Sequence, residues 1–275
     1  MAFQDIRLYP TYVINLDRRP ERWATFTKQP TVKQFKQLQR FSAVDGSKLD
    51  VMNDDRVSIH TKHNIRNKYR RSDYEINTVG AIGATFSHVT LWENFLKGKE
   101  PYLVVFEDDT LLRQHELDTI DALAKTLPPA WDVWLLGRHN WKFVETPLVG
   151  SERNGWLSVS QFTGAHGYIL SRKGAKILLT NPYPIETHIE YYMSACTELK
   201  GLKIIKHPKL RLIYNTEHTS VADSDTFLDR ASCPTCKIPD HYYSYGLYFS
   251  HEQLVAILAV CTVASAYMLS LKRRS

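Results

Sequence analysis

The stretch YLVVFEDDT, residues 102–110, joins an apolar run rich in Val and Phe to three consecutive carboxylates. A short continuous apolar run of this kind reads as a strand buried on both faces. In an open α/β sheet, ligands sit in the crevice beyond the carboxyl ends of the strands. Glu107, Asp108 and Asp109 therefore mark the end at which chemistry is expected. Strand alternation puts Glu107 and Asp109 on one side and Asp108 on the other. Adjacent carboxylates repel one another, and a divalent cation relieves the repulsion. Oxygen ligands suit Mg²⁺ or Mn²⁺, ions that keep positions open for substrate phosphates. Glu107 and Asp109 are the candidate metal ligands, and a solvated acidic turn is the plainer alternative.

Upstream, TYVINLD (11–17) reads as a first strand, followed by a basic turn and a helix over 20–28 that starts at Pro20 and turns Trp23 and Phe26 inward. Strand, basic turn and helix suit an anionic ligand, with Asn15, Arg18 and Arg22 facing the crevice; a charged surface turn fits the same residues. Residues 35–44 read as a second strand closed by the turn at Asp45 and Gly46. Residues 48–77 are polar and lose periodicity, and the basic cluster at 62–71 reads as a loop bordering the cleft, with no case for nucleic acid. The clearest helix spans 78–97, where Ile82, Phe86, Val89 and Leu96 recur at helical spacing beside Trp92. Gly80 and Gly83 permit close approach at its start, and Ser87 and His88 project from it.

Beyond the acidic strand, the pattern predicts a helix over 117–127, a strand over 131–136, an irregular stretch over 140–156, a strand over 164–170 and a helix over 171–180 capped by Ser171. A further helix over 187–199 carries His188 and Glu190, and two short strands follow within 202–214. The alternation predicts an α/β fold. There is no internal repeat and no HExxH, P-loop or GxSxG element, so the common zinc-protease, NTPase and α/β-hydrolase readings are excluded.

At 275 residues the chain can bury a sizeable core, and a net charge of +6 permits anionic partners without choosing among them. Four cysteines give no disulfide framework; Cys233 and Cys236 form a lone CxxC, open to zinc with His218 or His241, to a local disulfide or to free thiols. Residues 1–10 carry Asp5 and Arg7 and do not read as a signal peptide. Residues 254–271 form an uncharged apolar run followed by Lys-Arg-Arg, near the minimum length needed to cross a bilayer as a helix, with a buried core helix as the alternative. The expected organisation is one globular domain over 1–250 and a C-terminal membrane anchor with a short basic tail over 251–275. An internal membrane of the endoplasmic-reticulum kind is expected, its side left open.

Taken in order, YVINLDRRPERW, FSAVDG, GAIGATFSHVTLW, LVVFEDDT, GAHGYILSRKGAKILL and IEYYM resemble glycosyltransferase family 25, which includes bacterial lipooligosaccharide galactosyltransferases and procollagen hydroxylysine galactosyltransferases. The resemblance runs from about Tyr12 to Ser220. It implies a GT-A-like fold with a mixed, mostly parallel sheet, a UDP-galactose or UDP-glucose donor, and Mn²⁺ (or Mg²⁺) held by an acidic motif that falls on Glu107, Asp108 and Asp109. It also implies an inverting transfer of hexose to a glycan, a lipid-linked glycan or hydroxylysine in a collagen-like acceptor. Glu190 stands where relatives often carry Asp and is the expected base, with Asp225 or Asp223 second. Asn15, Arg18, Arg22, Asp45, His88 and Asp108 are the expected donor contacts. Relatives usually read GEIG, so Ala81 replaces a carboxylate. The competing reading is a catalytically silent protein of the same fold, acting in adhesion or as a scaffold.

Overall fold

The computed structural model describes residues 3–139 and 143–214. Strand β1 (Thr11–Asn15) leads through a basic turn into helix α1 (Pro20–Lys28), and β2 (Leu38–Ser42) follows. Next come α2 (Ile59–Asn67), the long α3 (Val79–Lys97), β3 (Tyr102–Glu107) and the two-residue β4 (Thr110–Leu111). Helix α4 (Gln114–Ala124), β5 (Val133–Gly137), β6 (Val144–Pro147), β7 (Leu157–Gln161) and β8 (Gly167–Ser171) continue the chain. Helices α5 (Arg172–Leu178) and α6 (Ile189–Leu199) and strands β9 (Ile204–Lys206) and β10 (Ile213–Tyr214) complete it.

One eight-stranded sheet runs in the order β2-β1-β3-β8-β5-β9-β7-β6, and β4 pairs with β10 apart from it. Strands β2, β1 and β3 are mutually parallel, as are β5 and β9, whereas β8 runs antiparallel to both β3 and β5, and β7 antiparallel to both β9 and β6. Only β7 and β8 thus oppose the common direction, and the sheet is mixed but mostly of one sense.

Strand β3 is central because both of its faces are apolar. Val104 and Phe106 join Phe26 of α1 and Leu117 and Ile120 of α4 in one core. Leu103 and Val105 face the opposite core with Trp92 of α3, Ala175 of α5 and Met193 of α6. The molecule is therefore a three-layer α/β/α stack. A smaller third cluster gathers Val51, Val57, Ile76, Ile82 and Phe86 beside the start of α3.

Two segments differ from the pattern reading. Residues 48–77, expected as loop, contain α2: Ser58 caps it by accepting from the Thr61 backbone N–H, and Lys68 ends it in the left-handed region at φ 50°. This helix buries polar groups, Thr61 donating to the Ile185 carbonyl and Asn64 to Glu75, so it carries no apolar stripe. The stretch expected as irregular over 140–156 holds β6, whose residues are largely exposed at the sheet edge, and β7 behind it buries only Val159. The apolar run at 254–271 lies outside the described residues, among which no helix is long and apolar enough to cross a membrane.

The start of α3 is clamped to the loop after β2. A Cβ on Gly83 would lie 2.4 Å from the Val44 carbonyl oxygen, and one on Gly46 would lie 1.9 Å from that of Val79. Ser87 closes the same contact, accepting from the Val44 N–H at 2.8 Å and donating to the Gly83 carbonyl at 2.7 Å. Backbone cannot retreat as a flexible side chain does, so Gly83→Ala is expected to destabilise the fold by about 1–3 kcal/mol in urea denaturation.

Candidate functional site

A cleft of about 410 Å³ opens at the carboxyl ends of β1 and β3, between the turn before α1, the loop at 43–47 and the start of α3. Its walls include Arg18, Arg22, Asp45, His88, Glu107, Asp108 and Asp109, all of which sequence reading assigned to the site. Asn15 sits behind this wall, 1% exposed. Its Nδ2 donates to Asp108 at 2.7 Å and to the Arg19 carbonyl at 2.9 Å, while its Oδ1 accepts from Arg40 at 2.6 Å. The amide is spent on protein partners, so Asn15 positions Asp108 and the basic turn.

Strand β3 ends at Glu107, so alternation does not separate Asp108 from Asp109, and both meet the same guanidinium. Asp108 faces the α1 side, where Arg22 Nη1 lies 3.0 Å from it. The other end of the same guanidinium reaches Asp109 at 3.3 Å. Glu107 faces the α3 and α6 side, with 34% of its side chain open to the cleft. Burial, then Glu190, then Asp108 push its pKa up to about 7, against the pull of Arg22. The opening to the cleft moderates that shift without reversing it. Asp109 is pushed up to about 6 by burial and by Glu107, opposed by Arg22 and His166. Arg18 lies 3.1 Å from Asp45, whose pKa is lowered chiefly by the hydrogen bond from the Ser47 hydroxyl.

Because Glu107 has a raised pKa in the folded chain, between about pH 4.5 and 7 the folded state holds a proton that the unfolded chain has released. Stability attributable to this group therefore falls as pH rises through that window. Urea denaturation between pH 5 and 8 is expected to show the fall, and Glu107→Gln to flatten it.

Three residues enter the site unannounced by the sequence. The antiparallel register of β3 and β8 sets Phe106 opposite Gly167, so the residue just before β8, His166, lies against the acidic tip. Its carbonyl accepts from the Glu107 N–H at 3.0 Å and from the Thr110 hydroxyl, and its Nδ1 is 3.8 Å from Glu107. Tyr168 follows on the face shared with Glu107. Gly164, at φ 77°, brings the chain round so tightly that a Cβ would meet the His139 and His166 rings.

Glu190, in the first turn of α6, reaches this group from the other side. Its Oε1 makes a long 3.4 Å contact with the Gly164 N–H, and its charge acts on both Glu107 and His166. Residues 70–75 pack alongside: Tyr74 and Tyr191 meet edge to face at 4.5 Å, and the Thr187 hydroxyl donates to the Tyr74 carbonyl. The end of the basic segment thus borders the site. Ala81 does not; it is 2% exposed in the third core cluster, away from the cleft wall. Asp223, Asp225, Cys233 and Cys236 lie outside the described residues.

Among the described residues no three His, Cys, Asp or Glu side chains form a ready metal cage. Mg²⁺ and Mn²⁺ ask less of a protein, one or two carboxylates with phosphates and water completing the shell. Glu107 and Asp109 fit that demand. Burial first, and neighbouring carboxylates second, raise both pKa values against the pull of Arg22, and Asp109 Oδ1 is buried with no hydrogen-bond partner.

Residues 9–193 match the family described as glycosyltransferase family 25 (LPS biosynthesis protein). A "Glycosyltransferase 25 family member" of Aedes aegypti is 29% identical over 180 residues, covering 61% of this chain and 27% of that protein. A protein of the same name from Drosophila pseudoobscura pseudoobscura is 22% identical over 251 residues, covering 88% of this chain and 36% of its own length. The chain thus matches about a quarter to a third of the length of these relatives. Among solved structures, a nucleoside-diphosphate-sugar pyrophosphorylase from Vibrio cholerae aligns over 74% of this chain and 75% of its own at 13% identity, with a TM-score of 0.32, too low to bear on the fold.

Proposed function

This chain belongs to glycosyltransferase family 25, and from that premise and the geometry of the cleft we propose that it transfers a hexose, galactose or glucose, from a UDP-sugar to an acceptor hydroxyl with inversion, in a GT-A-like arrangement that uses Mn²⁺ or Mg²⁺. The observation that carries the reading is the meeting at one cleft of two guanidinium groups and an acidic strand tip, with a further carboxylate from α6 beyond the cleft wall whose charge acts on Glu107. A polyanionic donor needs the first two, and deprotonation of an acceptor needs the third.

Arg18 and Arg22 bind the diphosphate by charge-assisted hydrogen bonds, as their position at a strand-to-helix turn suits. Asp45 holds Arg18 in place, and Asn15 holds Asp108. Glu107 and Asp109 hold the cation, which when bound supplies electrophilic neutralisation of the departing diphosphate. Glu190 takes the proton of the acceptor hydroxyl as its oxygen bonds to the sugar C1, and the bond from C1 to the diphosphate oxygen breaks with its electron pair leaving on UDP. Asp225 is the second candidate for that base. The acceptor enters past residues 70–75, which border Glu190. Glycans, lipid-linked glycans and collagen-like hydroxylysine all present a hydroxyl of the required kind. The apolar run at 254–271 supports anchorage to an internal membrane.

A second reading, a silent relative serving in adhesion or as a scaffold, draws on one observation: Arg22 pairs with both Asp108 and Asp109 and so satisfies part of the acidic tip without a metal. Calorimetry of UDP binding with and without Mn²⁺ separates the two. Binding that strengthens with Mn²⁺ supports the transferase, and no binding in either condition supports the silent relative.

A further inference from the structure

Resting on the donor-binding reading above, we propose that His88 presents Nε2–H to the cleft as a fixed hydrogen-bond donor to an oxygen of the bound nucleotide sugar, and that Tyr168 and Trp92 are the positioning residues that hold it in that tautomer. His88 and Trp92 are one turn apart on α3 and so share a face, and Tyr168 reaches them from β8. Trp92 Nε1 lies 2.9 Å from the Tyr168 hydroxyl oxygen, and His88 Nδ1 lies 2.9 Å from the same atom.

The proton bookkeeping leaves one arrangement. An indole N–H only donates, so the Tyr168 oxygen accepts from Trp92. Tyr168 is fully buried, so its own proton needs an acceptor, and among the described residues His88 Nδ1 is the one in hydrogen-bond reach. With Nδ1 accepting, a neutral imidazole carries its proton on Nε2, on the far side of the ring. The opposite tautomer would leave the tyrosine proton buried and unpaired. Burial also pushes the His88 pKa down to about 4, which keeps the ring neutral at physiological pH.

His88 lines the cleft, whereas the neighbouring Ser87 spends its hydroxyl on the Val44 N–H and the Gly83 carbonyl. Of these two polar side chains it is His88 that has a group left for a ligand. An uncharged donor beside an acidic tip neither competes with a cation nor repels it, and it recognises an oxygen acceptor, either of the phosphates or of a sugar hydroxyl.

Side-chain ¹⁵N spectra of the full chain, with His88 assigned by its loss in His88→Leu, are expected to show the Nε2–H form at neutral pH. Tyr168→Phe is expected to lose that fixed form. An Nδ1–H or doubly protonated His88 in the unmodified protein would overturn the proposal without recourse to any variant. In calorimetry, His88→Leu is expected to bind UDP-galactose or UDP-glucose about tenfold more weakly. An equal loss for UDP places the contact on the nucleotide's phosphates, and a loss confined to the UDP-sugar places it on a sugar hydroxyl. Unchanged binding of both ligands overturns the contact. A wild-type protein that binds neither ligand contradicts the donor-binding reading itself, while the tautomer measurement stands or falls separately.

Discussion

Asp109→Asn is expected to lower metal-dependent turnover of the sugar donor by about 10²–10³-fold while leaving the thermal unfolding transition in place. The substitution keeps size and shape and removes one negative charge from a cluster already burdened with too many. The cost of burying the Asp109 carboxylate outweighs its ion pair with Arg22: burial and then Glu107 push its pKa up to about 6 even with Arg22 at 3.3 Å. Loss of stability is therefore not the expected consequence. Mn²⁺ affinity, followed by calorimetry, should fall together with turnover. Unchanged turnover in this variant would remove Asp109 from the site.

Glu190→Gln is expected to lower turnover by about 10²–10⁴-fold with donor affinity kept within a few-fold, the behaviour of a residue that moves a proton and does not hold the donor. Glu190 is set at the beginning of α6, outside the wall formed by the basic turn and α3, and its contact with the Gly164 N–H orients it towards Glu107. Gln retains that contact through its side-chain oxygen. A large loss of donor affinity instead would place Glu190 among the donor contacts, and an unaltered rate would move the base to Asp225.

The legible part of this molecule is the part written in apolar periodicity. YLVVFE is the central strand because both neighbours of each residue find a core, and Pro20 opens α1 where its missing N–H costs nothing. The long α3 was visible for the same reason. What pattern could not reveal was direction: GYIL in β8 is buried on both faces whichever way it runs, so nothing in it announces that the strand is antiparallel to β3. That single fact brings His166 and Tyr168 to the acidic tip. Helix α2 escaped because the face it buries is Thr61 and Asn64, and β6 because an edge strand exposes most of its side chains.

The site was legible by residue type more than by role. Arg18, Arg22, Asp45, His88 and the three carboxylates do line one cleft, and the acidic run after an apolar strand was signal enough. The strand, basic turn and helix pattern puts Asn15 at the crevice, yet three hydrogen bonds turn it to the support of Asp108 and the basic turn. Ala81 stood one residue from Gly80 in the motif, but helical rotation carries it into the core. Both outcomes depend on partners distant in sequence, which spacing alone does not name.

The most direct test of metal-dependent glycosyl transfer is UDP release from a panel of UDP-sugars by the full chain, with Mn²⁺ and with chelator. The account predicts release from one hexose donor, UDP-galactose or UDP-glucose, that chelator abolishes and Mn²⁺ restores. No release from any donor, or release that chelator leaves unchanged, would contradict it.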